Sequence, residues 1–324
     1  MLVSVIVPCF HSEESLDDVV RLTQVEFEKS AVYDCEFILV NDNPPDKTYD
    51  KICELASAYP NVHGVCLMRN FGQHSALMCA LNYAEGDLVL CMDDDLQTHP
   101  SQIPLLLSAM ESGEYDVVYG VFEERPSLSP LKRFSSWLNK VTGNILLEQP
   151  ADMKTSSFWM CTSQIKNQMI KFHNYNPFVD ALFTRMTTRI GNVTVKHHQR
   201  EHGSSGYTLR KLINLWLSYF NYTKLPLRMV FWMGMFFVVV GFVAGIVVII
   251  QKMTDPLMPA GWASIICLLL FFFGVVLFAL GMIGEYVGNI VLSVNSTPQY
   301  VVRDRVNFPV GTEKNDTQHP EKDN

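Results

Sequence analysis

Two stretches without a charged residue, 229–250 and 256–284, lie in the last third of this 324-residue chain. Each exceeds the roughly 20 apolar residues that a helix needs to cross a bilayer. The expectation is therefore a two-helix transmembrane hairpin over 229–293. Arg210, Lys211, Lys224 and Arg228 precede the first stretch and Arg303 and Arg305 follow the second, whereas the connecting loop carries only Lys252 beside Asp255. The positive-inside bias then sets both ends in the cytoplasm, with Trp232 and Trp262 as interface anchors. The segment 209–222 is amphipathic and aromatic, with Trp216, Tyr219 and Phe220, and reads as a surface helix within a juxtamembrane segment 208–228. Residues 294–324 form a cytoplasmic C-terminal segment whose polar end, from Gly311 onward, is expected to be disordered.

Residues 1–207 have a different texture and are long enough to bury a core of their own. Short apolar runs at 3–7, 36–40, 62–68, 87–92 and 116–119 alternate with amphipathic stretches at 12–29, 47–59, 72–84 and 101–112. That alternation predicts strands joined by helices in a mostly parallel, Rossmann-like α/β sheet. Ser12 is the expected N-cap of the first helix. The amino terminus has no basic region before Pro8 and reads as a strand rather than a signal peptide. The net charge of −8, with Glu313, Asp316, Glu321 and Asp323 in the tail and no basic stripe, disfavours nucleic-acid binding. Eight scattered cysteines without a C-x-x-C pair read as reduced, buried small hydrophobes.

Chemistry is expected at the carboxyl ends of the strands, where open α/β sheets hold their ligands. Asp93, Asp94 and Asp95 close the fourth apolar run. On a short turn Asp93 and Asp95 can converge on one cation while Asp94 points away, and their hard oxygens suit Mg²⁺ or Mn²⁺. Pro8, Glu13 and Asp42 lie at the ends of the first two strands, a place for a base and a ribose. Arg69 and Gly72 stand at a strand-to-helix junction whose backbone N–H groups suit an anion. Arg200 and the glycine-flanked Ser204 and Ser205 suit phosphate. His197, His198 and His202 lack the cysteines or the H-E-x-x-H spacing of a zinc site.

In order along the chain, Arg69 to Ala76, Gly86-Asp87, Asp93 to Gln97, Arg200 to Tyr207, Leu212 to Leu215 and Gly284 to Gly288 resemble family 2 glycosyltransferases of the GT-A fold, in their polyprenyl-phosphate sugar transferase branch. The resemblance runs from about Val3 to Val302. It implies that Asp42 holds the nucleotide, that Asp93 and Asp95 bind the cation bridging its diphosphate, and that Glu13 or Glu14 sits near the base and ribose. It further implies that Lys132, Arg133 and the Arg200 to Tyr207 loop approach the donor diphosphate or a lipid phosphate, and that the protein is a homo-oligomer packed through its spans. Three departures stand out: Asn41-Asp42-Asn43-Pro44 where the family has Asp-Asp-Gly-Ser, Gly206 where a lysine is common, and Ser156-Ser157-Phe158-Trp159 where the family often has Phe-Arg.

The expected reaction is inverting transfer of a sugar from a UDP- or GDP-linked donor to a polyprenyl (undecaprenyl) phosphate, for cell-envelope glycan or lipid modification at the bacterial inner membrane. Asp152 and its rival Asp180 are the candidate carboxylates at the attacking face, both read as surface positions. The alternative is a catalytically silent nucleotide-sugar-binding scaffold. A processive synthase is disfavoured by the lack of a Q-x-x-R-W motif and by only two spans.

Overall fold

The computed structural model describes residues 1–30, 32–43, 45–122, 153–196, 261–295 and 297–308, with scattered helical positions between 230 and 243. Its first part alternates as the apolar periodicity predicts: β1 (Leu2–Cys9), α1 (Leu16–Glu28), β2 (Asp34–Asn41), α2 (Thr48–Ala58), β3 (Val62–Leu67), α3 (Gln73–Tyr83), β4 (Leu88–Cys91), α4 (Ile103–Glu111) and β5 (Val117–Phe122). Then follow β6 (Trp159–Thr162), α5 (Ser163–Met169), α6 (Val179–Met186), β7 (Ile190–Val195), α7 (Trp262–Val294) and β8 (Val302–Val306).

The strands form one eight-stranded sheet in the order β7-β5-β6-β4-β1-β2-β3-β8. The β1–β2, β1–β4, β2–β3 and β5–β7 pairs are parallel, and β6 and β8 run antiparallel to their neighbours. Side chains alternate between two cores. Val3, Val5, Val7, Phe37, Leu39, Leu88 and Leu90 face α1, α2 and α4, whereas Ile6, Ile38, Val40, Val65, Val89 and Cys91 face α3, α5 and α6. A sheet covered on both faces needs strands that are apolar at nearly every position, and these are. The described cysteines are all free and mostly buried.

Pro8 lies within β1, opposite Val40, instead of ending it. The pairing of β1 with β4 stops at Ile6 and Cys91, so the missing N–H of Pro8 costs no ladder bond on that side. Ser12 is not the N-cap of α1; that position falls to Ser15, which makes no side-chain capping bond. The Ser12 carbonyl accepts the Ser15 and Leu16 amides, and its hydroxyl is committed elsewhere.

Among the described residues one helix is long and apolar enough to cross a membrane, over Phe272–Val294 of α7. The first expected span falls mostly outside the described residues. α7 runs 33 residues, about 50 Å at 1.5 Å per residue, and continues ten residues past the expected end of its uncharged stretch, from Gly284 to Val294. Phe273, Leu277, Leu280 and Val294 on it are exposed. The chain beyond it does not stay apart from the first 207 residues: Gln299 and Tyr300 are buried, and β8 pairs with β3.

Candidate active site

The winding of the sheet reverses between β1 and β4. β2 and β3 extend it on one side of β1, and the chain then crosses back to lay β4 on the other. The crevice at such a reversal, beyond the carboxyl ends of the strands, is where open α/β sheets bind ligands.

Asp94 closes this crevice at its base. It accepts the Phe10 amide at 3.2 Å and the Ser12 hydroxyl, tying the loop after β4 to the loop after β1. Burial pushes its pKa up, and the bonds from Ser12 and Phe10 oppose that rise. Asp94 is thus committed to the loop after β1, whereas Asp93 and Asp95 take other partners. The chain turns at Asp94 and Asp95, so strand alternation no longer sets the direction of the side chains. Asp93 and Asp95 remain partly exposed. Gln73 Nε2 donates to Asp93 Oδ1 at 3.2 Å and the Ser157 hydroxyl donates to Oδ2. The Gln97 amide donates to Asp95 at 3.1 Å.

The second half of the site lies beyond β2 and β3. Asp42 is buried, and its carboxylate accepts the Phe71 amide at 2.7 Å and the Gly72 amide at 2.9 Å. Burial pushes its pKa up, and these two amides pull the other way. Two of the N–H groups of the Arg69 to Gly72 junction, expected to face an external anion, are thus taken by an internal one. Arg69 is exposed, with its guanidinium 4.7 Å from the centre of the Phe71 ring. Gly72 has φ +92°, a conformation that a side chain would strain.

The loops are tied further. His11 Nδ1 meets Asp46 Oδ2 at 2.8 Å, and the Ser12 amide donates to Thr48 Oγ1 at 3.1 Å. His11, Asn43 and Leu96 adopt φ of 60°, 47° and 56°, each in a loop at this end of the sheet. Left-handed backbone at non-glycine residues collects where surrounding structure over-determines a site.

Of the other sequence candidates, Glu13 lies exposed in the turn before α1. Asp152, Arg133, Arg200 and Ser205, with Lys132, fall outside the described residues. Asp180 is half-buried rather than fully at the surface. In the first turn of α6 it accepts the Tyr119 hydroxyl at 2.7 Å, and burial pushes its pKa up to about 6 against that bond. Sequence reasoning missed the supporting shell of Ser12, Gln73 and Ser157. A lone serine or glutamine carries no signal of its own, although Ser157 was visible as a departure from the family pattern.

Asp93 and Asp95 offer hard carboxylate oxygens braced by neutral donors, and no group of three or more His, Cys, Asp or Glu side chains able to hold a metal exists among the described residues. A two-carboxylate set suits a Mg²⁺ or Mn²⁺ ion that completes its shell with phosphate oxygens and water, and does not suit zinc.

The Glycosyl transferase family 2 profile matches residues 4–169, and the profile described as the GtrB C-terminal hairpin matches residues 225–290. The chain is 32% identical over 320 residues to undecaprenyl-phosphate 4-deoxy-4-formamido-L-arabinose transferase of Edwardsiella ictaluri (strain 93-146), covering 95% of each chain. It is 31% identical over 315 residues to the protein of that name from Proteus mirabilis (strain HI4320), covering 93% of each. Its fold is shared with glucosyl-3-phosphoglycerate synthase from Mycobacterium tuberculosis, at TM-score 0.50 and 16% identity over 68% of this chain and 80% of that one. One structure of that synthase, at TM-score 0.50 and 15% identity over 68% and 79%, contains Mn²⁺ and uridine-diphosphate-glucose. The reversal-point crevice, the mostly parallel Rossmann-like GT-A sheet and these matches together make the chain a member of glycosyl transferase family 2.

Proposed function

We propose that this glycosyltransferase moves a sugar from a UDP- or GDP-linked donor to undecaprenyl phosphate at the bacterial inner membrane, with inversion, in a pathway that decorates the cell envelope. The observation that carries the reading is the pair Asp93 and Asp95, held partly exposed at the β1/β4 reversal by Gln73, Ser157 and the Gln97 amide. The relatives' names support the acceptor. The membrane-length Phe272–Val294 stretch and the hairpin profile over 225–290 support a two-span anchor, to which the flanking cations add cytoplasmic termini and the family resemblance a homo-oligomer packed through the spans.

In the proposed step a lipid-phosphate oxygen attacks the anomeric carbon as its bond to the nucleoside diphosphate breaks. The phosphate monoester is already anionic near neutral pH, so demand on a protein base is modest, and stabilising the leaving diphosphate dominates. A divalent cation on Asp93 and Asp95 would supply that stabilisation when bound. Asp94 and Asp42 set the loops, Arg69 stands exposed at the rim, Arg133, Arg200 and Ser205 are assigned by family resemblance to the donor diphosphate or the lipid phosphate, and Asp152 is the candidate carboxylate at the attacking face. Membrane attachment brings the site to a lipid headgroup without extraction of the lipid.

The test is transfer of radiolabelled sugar from a panel of UDP- and GDP-sugars to undecaprenyl phosphate in detergent, with Mn²⁺ or Mg²⁺. The expected result is a lipid-linked product that Asp95→Asn abolishes. Nucleotide binding without transfer for any donor would instead favour the silent scaffold.

A further inference from the structure

The strand that follows the membrane-length helix reaches the donor side of the site. β8, at the edge of the sheet, pairs antiparallel with β3, with a register shift at Cys66/Leu67. Just past that irregularity the Met68 amide donates to the Val301 carbonyl at 2.8 Å. Arg303, on β8, donates through Nη2 to the Met68 carbonyl at 2.8 Å and through Nη1 to Asn43 Oδ1 at 3.3 Å. Asn43 Nδ2 donates to the same Met68 carbonyl at 3.0 Å, closing a ring of three residues. At φ 47° Asn43 holds a left-handed backbone and offers an amide that both Arg303 and Met68 use. Its neighbour Asp42 holds the Phe71 and Gly72 amides, and Met68 directly precedes Arg69.

The segment carrying Arg303 is fixed at both ends. Buried Gln299 donates to the carbonyls of Phe172 and Asn174 at 2.9 and 2.7 Å, and Tyr300 is fully buried. At the other end Asn307 donates to the carbonyls of Pro60 and Val62 at 3.1 and 2.7 Å. β8 lies outside both family profile matches, which end at residues 169 and 290.

We propose that Arg303 is a positioning residue for donor binding: from the strand returning behind the membrane helix, it fixes the Asn43 and Met68 loops so that Asp42 and the Arg69 to Gly72 junction hold the geometry that receives the nucleotide. This rests on the transferase reading above. A guanidinium bonded to a carbonyl and an amide oxygen at once defines an orientation as well as a distance, which lysine does not reproduce. Loss of this geometry acts on binding of the donor, not on the bond-breaking step, so it appears in KM and nucleotide affinity while kcat is spared.

The experiment uses the full chain in detergent with Arg303→Ala, Arg303→Lys, Asn43→Gly and the double variant Arg303→Ala/Asn43→Gly. UDP and GDP affinity with Mn²⁺ is measured by titration calorimetry, donor and acceptor KM by transfer, and amide exchange over residues 66–73 by mass spectrometry. Arg303→Ala is expected to weaken nucleotide binding and raise the donor KM on the order of tenfold, the scale of one charge-assisted hydrogen bond. kcat and the acceptor KM should stay within about twofold, and exchange at Phe71 and Gly72 should rise. Lysine should rescue little, and the double variant should be no worse than the single ones because one ring is broken in each. Asn43→Gly keeps the left-handed backbone and decides the matter should Arg303→Ala fail to fold. Unchanged affinity and unchanged exchange in folded variants would overturn the proposal. A wild-type chain that neither binds nucleotide nor transfers sugar would sink the transferase reading instead, and exchange at residues 68–72 would then decide alone whether Arg303 sets the loop.

Discussion

Asp42 and Gly72 meet at 2.9 Å, carboxylate to amide, with the Phe71 amide on the other carboxylate oxygen at 2.7 Å. A buried acceptor-only group thereby satisfies two N–H groups at the start of α3. Asp42→Asn turns one acceptor into a donor facing a donor, which leaves a buried amide unsatisfied at a cost of about 1–3 kcal/mol. The expected outcome is a lower midpoint of thermal unfolding together with lost nucleotide binding. An Asp42→Asn chain with wild-type stability and weakened binding would mean that Asp42 touches the nucleotide rather than shaping its loop.

Ser157, in the bend before β6, and Gln73, at the start of α3, brace Asp93. Partners of this kind orient a ligating carboxylate, and their loss typically costs 10–100-fold in metal affinity. Ser157→Ala should therefore raise the Mn²⁺ concentration for half-maximal transfer roughly tenfold, with near-normal turnover at saturating Mn²⁺. Asp93→Asn should stay inactive at any concentration. Metal-titrated activity separates the two, and an unchanged Mn²⁺ requirement in Ser157→Ala would count against Asp93 as a ligand.

The parallel heart of the sheet was legible because β1 to β5 are apolar on both faces. The later strands were not. β7 shows an irregular burial pattern at the sheet edge, and β8, Val302–Val306, carries Arg303, Asp304 and Arg305 in its middle, a sequence that looks like a polar tail until β3 is there to pair with it. The aspartate triplet stood out in the sequence at the end of an apolar run, yet the partners of each carboxylate did not. Side-chain direction at Asp94 depends on a turn and on Ser12 across the crevice, a long-range contact no local pattern encodes. Arg303 reads from sequence as a topology-setting cation beside a membrane span, and only the β3–β8 pairing brings it to Asn43.

Gly86 illustrates a motif whose role is packing. A Cβ there would lie 2.6 Å from the Ser4 nitrogen and 2.8 Å from the carbonyl oxygens of Leu2 and Leu88, all backbone. Its amide donates to the Ser4 hydroxyl at 2.7 Å, and Asp87 accepts the Leu2 amide at 3.0 Å, fixing the start of β1 against β4. Since backbone within the central ladder has no room to yield, Gly86→Ala should destabilise by about 1–3 kcal/mol or more. Reduced yield of folded protein and a lowered thermal midpoint would report it. Wild-type stability would show that the β1–β4 junction can open.

Asp180 and His74 make opposing demands on acidity. The folded-state pKa of Asp180 is about 6, above its ordinary 3.8, so between those values the folded chain holds more protons than the unfolded one and stability falls as pH rises. At 1.36 kcal/mol per pKa unit the burden is about 3 kcal/mol above pH 6. His74, adjoining the start of α6 through the Val179 amide, is pushed by burial from 6.5 down to about 4. There the unfolded chain holds more protons, and stability falls as pH drops through that window. The two slopes nearly cancel between about pH 4 and 6. Asp180→Asn keeps an acceptor for the Tyr119 hydroxyl and removes one slope. The variant should melt at a higher temperature than wild type at pH 7.5, converge with it near pH 4, and show the acid sensitivity of His74 unmasked in between. Thermal unfolding across that range checks all three, and a lower midpoint for Asp180→Asn at pH 7.5 would mean that the ionised carboxylate is itself stabilised by its surroundings.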